Sequence, residues 1–69
     1  MSAYGRVVVL RTVIVNLKDG TGVHGVLYKQ LGPLLILQNA SLLEAGRDPV
    51  PLDGQVIIER TAVRFIQAP

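Results

Sequence analysis

The chain has 69 residues, 49% of them apolar and 17% charged, with a net charge of +2. That balance is too hydrophobic for a disordered chain, and the absence of cysteine excludes a disulfide framework. His24 is the only histidine, so the usual ligand set of a structural zinc site is missing, and oligomerisation is the natural support for so thin a core.

Five short strands are expected in one domain, residues 1–69. The N-terminal stretch Met1 to Arg6 has neither the charged region nor the apolar core of a signal peptide, so a cytoplasmic protein is the expectation. The first strand is expected from about Arg6 to Leu17, where β-branched residues dominate. Within it Val13, Val15 and Leu17 share one face, while the run Val7-Val8-Val9-Leu10 has no polar face at all. Asp19-Gly20 then signals a tight hairpin, with both central residues expected at positive φ. The second strand is expected from Gly22 to Lys29, and Gly25 inside it marks a bend or a close backbone approach.

Gly32-Pro33 breaks the chain before a third strand, Leu34 to Gln38. Residues 39–54 follow, with turn signals at Gly46-Arg47-Asp48-Pro49 and Pro51-Leu52-Asp53-Gly54. The part from Ala40 to Ala45 suits either a continued strand or a helical turn. The fourth strand, Gln55 to Glu59, and the fifth, Val63 to Gln67, are separated only by Arg60-Thr61-Ala62. In the fourth, Val56 and Ile58 share one side and Ile57 takes the other. Many short strands with turns between them indicate an all-β barrel or sandwich. Strands apolar on both sides fit a barrel whose outer faces and edges meet neighbours. The longest charge-free window, Gln30 to Leu43, is 14 residues and is interrupted by Gly32 and Pro33, too short for a membrane span.

Several residues carry an ordinary structural explanation beside a functional one. Asp19-Gly20 is a turn before it is an acid site, and His24 has no neighbouring acid to make a catalytic pair. Gly20-Thr21-Gly22 lacks the following helix that a phosphate cradle needs. Tyr4 and Tyr28 suit packing at an interface or stacking on a base, and Phe65 suits the core. Arg64 alternates with Val63 and Phe65 and is expected to point outward. No nucleophile–base pair, carboxylate pair or metal cluster is present in the sequence, so no catalytic residue, metal ligand or cofactor is expected.

The pattern Val13, Val15, Leu17, Lys18-Asp19-Gly20, Gly25 and Leu27, continued by Leu35-Ile36-Leu37, closely resembles the first motif of the Sm and Sm-like proteins. The segment from Gln55 to Ile66, an apolar strand, a very tight turn and another apolar strand, resembles the second. The resemblance implies a strongly bent, five-stranded SH3-like barrel that forms a homo-oligomeric ring of six or seven subunits. In that family the last strand pairs with the fourth strand of the next subunit, which implies interface roles for Ile57, Val63 and Phe65. It also implies single-stranded RNA as a ligand, held at the loops that carry Lys29, Gln30 and Gly32 on one side and Arg60 on the other. The chain departs from the family where RNA is read. The loop from Lys29 to Leu34 is one residue shorter and lacks the acid, aromatic and asparagine of the family pattern. Arg60 takes the place of the base-stacking arginine only with a shift of one residue, and otherwise offers an ion pair to Glu59 or another acid. The alternative is a scaffolding ring of phage or mobile-element type with no RNA-binding role.

Overall fold

The computed structural model describes residues 10–69. The predicted start of the first strand at Arg6, the Val7–Val9 part of the apolar run, and Tyr4 lie outside the described residues. Six strands form one antiparallel sheet: β1 (Arg11–Leu17), β2 (Gly22–Leu31), β3 (Leu34–Leu43), β4 (Val50–Leu52), β5 (Val56–Glu59) and β6 (Val63–Gln67). A 3-10 turn, Arg60–Ala62, joins β5 to β6. The sheet order is β4-β3-β2-β1-β6, with β5 also paired to β3.

Alternation along β1 puts Val13 and Val15 fully inside, and Leu17 packs against the same cluster. Leu27 and Val23 from β2, Leu35, Leu37 and Ala40 from β3, and Ile58 from β5 complete the core. The predicted faces of β1 and β5 therefore hold. Burying side chains of this size stabilises by about 1.5–3 kcal/mol each, so these few strands carry most of the hydrophobic stabilisation.

One bend lets so short a chain wrap around its core. β2 and β3 pair His24 with Ser41 and then Val26 with Gln38, so Gly25 faces both Asn39 and Ala40. Asn39 supplies the left-handed conformation such a bulge needs (φ 51), which asparagine tolerates better than most residues. A Cβ on Gly25 would lie 3.0 Å from both the Ala40 Cα and the Gln38 carbonyl oxygen, too close for backbone atoms to yield easily. The close approach inferred at Gly25 is thus its contact with β3. On either side of this corner β3 changes partner: Leu34–Leu37 pair with β5, and Ala40–Leu42 pair with β4.

One open choice is decided and three expectations need correction. Of the two alternatives for Ala40 to Ala45, the continued strand is the one found, as far as Leu43, because Ala40 joins the core once the bulge has turned β3 back toward it. β4 was not foreseen; Val50 and Pro51 lie in a segment that looks like a turn until β3 offers an edge to pair with. Residues 29–34 are not an open loop: Lys29, Gln30 and Leu31 pair with Ile36, Leu35 and Leu34, leaving only Gly32-Pro33 as the turn. The Asp19-Gly20 hairpin is a wider loop. Gly20 alone has positive φ (94), its N–H donates to Leu17 C=O at 3.1 Å, and Leu17 N–H donates to Thr21 C=O at 2.8 Å. A left-handed glycine ending such a loop is the usual longer alternative to a two-residue turn.

Leu10 differs from its expectation as well. It stands in a turn at φ 65 and is exposed, so the regular strand begins at Arg11.

Candidate nucleic-acid interface

The 3-10 turn Arg60–Ala62 links two hairpin turns that are far apart in sequence. Arg60 N–H donates to Pro33 C=O at 2.7 Å, and Ala62 C=O accepts from Lys18 N–H at 2.8 Å. Both ends of the turn are thereby fixed, and Val63 N–H closes it on Arg60 C=O. All three residues of the turn lack burial, so their side chains face solvent.

The two segments inferred as RNA-contacting therefore do meet, through Arg60 and the Gly32-Pro33 turn. They meet with little chemistry on one side. Gly32 has φ 54 and open space where a Cβ would be, as a two-residue turn with glycine first requires. Pro33 has no N–H, and its carbonyl is taken by Arg60. Lys29 and Gln30 are strand residues on opposite faces. Lys29 is exposed and pairs with Ile36, on the outer side; half-buried Gln30 pairs with Leu35, on the core side.

Arg60 instead shares a depression with residues that the sequence assigned elsewhere. Leu35 of β3, Arg60 of the 3-10 turn, and Val63, Arg64, Phe65 and Ile66 of β6 line an open hollow of about 230 Å³. Val63 and Ile66 pack on the core although they are three residues apart. The pairing explains this spacing: Asn16 faces Phe65 and Leu17 faces Val63, so Arg64 is an extra residue in β6. The bulge keeps Arg64 exposed, with its guanidinium carbon 5.9 Å from the centre of the Phe65 ring, within cation–π range. Phe65 pairs with Asn16 on the outer face of β1 and is 50% exposed, so it is not the core residue its spacing suggested. No alternation rule applied to the sequence could have located the Arg64 bulge, which exists only relative to β1.

The hairpin beside the turn has its own fixed charge. Thr21 Oγ1 donates to Asp19 Oδ1 at 2.7 Å, and Thr21 N–H donates to the same oxygen at 3.0 Å. These bonds hold the Asp19 carboxyl below the ordinary carboxylate range, the side-chain bond contributing most. Among the described residues no group of three or more histidine, aspartate or glutamate side chains is placed to hold a metal ion.

No protein-family model matches the sequence, and no curated protein matches it either. The fold does have close counterparts among solved structures. The SmAP1 heptamer of P. aerophilum superposes with a TM-score of 0.84 at 22% identity, over 97% of this chain and 89% of that one. A heptameric archaeal Sm protein, described for its implications for the eukaryotic snRNP core, gives the same TM-score and identity over 99% and 98% of the two chains. The class is thereby defined: a strongly bent, nearly all-β sheet with the Sm fold. In particular, these two structural counterparts are archaeal Sm proteins that form heptamers.

Proposed function

We propose that this chain assembles head-to-tail with copies of itself into a closed ring and that the ring binds single-stranded RNA without catalysing a reaction on it. The supporting observation is the pair of sheet edges left without a partner. Among the described residues β5 pairs only with β3 and β6 only with β1, no ladder joins β5 to β6, and β4 continues the β5 edge by pairing with β3 alone. Ile57 on one edge is 59% exposed and Phe65 on the other is 50% exposed. Both face away from the core, Ile57 beside Ile36 and Phe65 beside Asn16. An antiparallel join of β6 to β5 of the next copy continues the sheet, brings Ile57 and Phe65 together and satisfies both edges. Val63, on the core side of β6, then abuts the neighbour's β5. Such an interface is heterologous and must close to be finite; the heptameric state of the structural neighbours supports closure.

RNA is the proposed ligand because Arg60 stands on an exposed turn tied to the Gly32-Pro33 turn, and repetition around a ring multiplies that one cation. A ring that only scaffolds is the second reading, favoured by the lack of side-chain donors on Gly32-Pro33. Size-exclusion chromatography with light scattering tests the ring, and titration with oligo-U and oligo-A tests the ligand. A mass of one chain at micromolar concentration contradicts the assembly, and an intact ring that binds neither oligonucleotide at low salt supports the scaffold.

A further inference from the structure

We propose that the join between copies is held in register by an ion pair between Arg64 of one copy and Glu59 of the next; this deepens the ring reading above and rests on it. The two edges differ in charge. Residues 44–59, which carry β4 and β5, hold four of the five acids of the chain, Glu44, Asp48, Asp53 and Glu59, against one cation, Arg47. Residues 60–69, which carry the 3-10 turn and β6, hold Arg60 and Arg64 and no acid. A head-to-tail join lays the acidic edge against the basic one, and complementary charge favours the correct partner and orientation. Within β5 and β6 themselves Glu59 and Arg64 are the charged residues, and both are exposed.

The bulge decides which side of the join Arg64 takes. Val63 and Ile66 pack on the core, so Arg64 and Phe65 fall together on the outer face, the guanidinium within cation–π range of the ring. On β5, Ile58 is buried while Ile57 and Glu59 share the outer face. Setting Phe65 against Ile57 of the next copy fixes the rest, because the two strands run antiparallel. Arg64 comes next toward the start of β6, and Glu59 comes next on the same face toward the end of that β5. The two are then diagonal neighbours across the join, a separation that a long side chain spans. Alternation forbids a slip of one residue, which would turn the outer face inward, but it tolerates a slip of two. A slip that sets Phe65 against Gln55 leaves Glu59 behind, and the opposite slip sets the Phe65 ring against the Glu59 carboxylate. The ion pair and the Phe65–Ile57 contact are both made in one register alone.

The test is charge reversal in the whole chain, read as mass by light scattering over a range of protein concentration, with circular dichroism to show that each variant folds. Arg64→Glu and Glu59→Arg each set like charges together at every join, so each should raise the concentration of half-assembly by about tenfold or more. Arg64→Glu and Glu59→Arg in one chain restore opposite charges and should return that concentration to within about threefold of wild type. Glu59→Gln removes the charge without reversing it and should weaken assembly by a smaller factor, which keeps the test open where a reversal fails to fold. Arg60→Glu combined with Glu59→Arg should give no rescue, since Arg60 stands on the turn and is tied to Pro33 of its own chain. Rescue by that combination makes Arg60 the partner and overturns the assignment. Single reversals that assemble as wild type, or a double reversal no better than either single, overturn the ion pair and leave the ring standing. A wild-type chain that stays at the mass of one copy removes the ring, and the pair with it.

Discussion

The two halves of this sheet are built on different terms. β1, β2 and the first half of β3 are paired on both sides and contribute Val13, Val15, Leu27, Leu35 and Leu37, all at 1% exposure or less. Among the described residues β4, β5 and β6 are each paired on one side only, and the last two leave Ile57 and Phe65 half-open to solvent. The first region completes itself within one chain. The second is a pair of edges whose apolar side chains and free backbone groups are costly to leave exposed. Stability resides mainly in the first, and the proposed association uses the second.

The sharpest way to break the first region is at its corner. Gly25→Val should abolish soluble folded protein, because even the first carbon of a side chain lies 3.0 Å from β3 backbone. Circular dichroism of whatever is recovered, compared with wild type, checks this; wild-type melting in the variant would mean the corner has room. Leu37→Ala comes next. The side chain is fully buried, so the loss should be about 2–5 kcal/mol, read from urea unfolding midpoints.

At the edges the expectation separates folding from assembly. Ile57→Glu should leave the circular dichroism spectrum unchanged while shifting the mass toward a single chain, since a charge is then buried only in the proposed interface. An unshifted mass would place the interface elsewhere. The smallest effect is expected at the β1–β2 loop. Asp19 has a depressed pKa from its Thr21 hydrogen bonds, so its contribution is present above the carboxyl's unfolded pKa and is lost as pH falls through the lower folded value. Asp19→Asn should melt slightly below wild type at neutral pH, with the two curves converging in acid. Parallel curves down to the lowest pH would show that the Asp19 charge does no stabilising work.

How much of this was legible depends on how local the cause is. The inward faces of β1 and β5 follow from alternation, a property of neighbouring residues. Gly25 and Gly32-Pro33 are readable for the same reason, because glycine and proline announce their constraint wherever they stand. β4 was not legible, since three residues with a proline among them form a strand only when β3 is beside them. Among the candidate contacts, Arg60 and Gly32 are brought to one place, while Lys29 and Gln30 are separated onto opposite faces by strand pairing that extends to Leu31. Arg64 was expected to face outward, but its place beside Arg60 was not foreseen.

What the sequence determined alone is the all-β class, the two hairpin positions and the core faces of β1 and β5. The tertiary structure decided which edges stay open, where the sheet turns its corner and which arginines share a hollow. The physical reason is that propensity and alternation act between adjacent residues, whereas a bulge or an edge exists only relative to the strand that does or does not pair with it. Arg64 is the plainest case: next to Phe65 it is an ordinary strand residue, and only the register with Asn16 and Leu17 makes it the extra one.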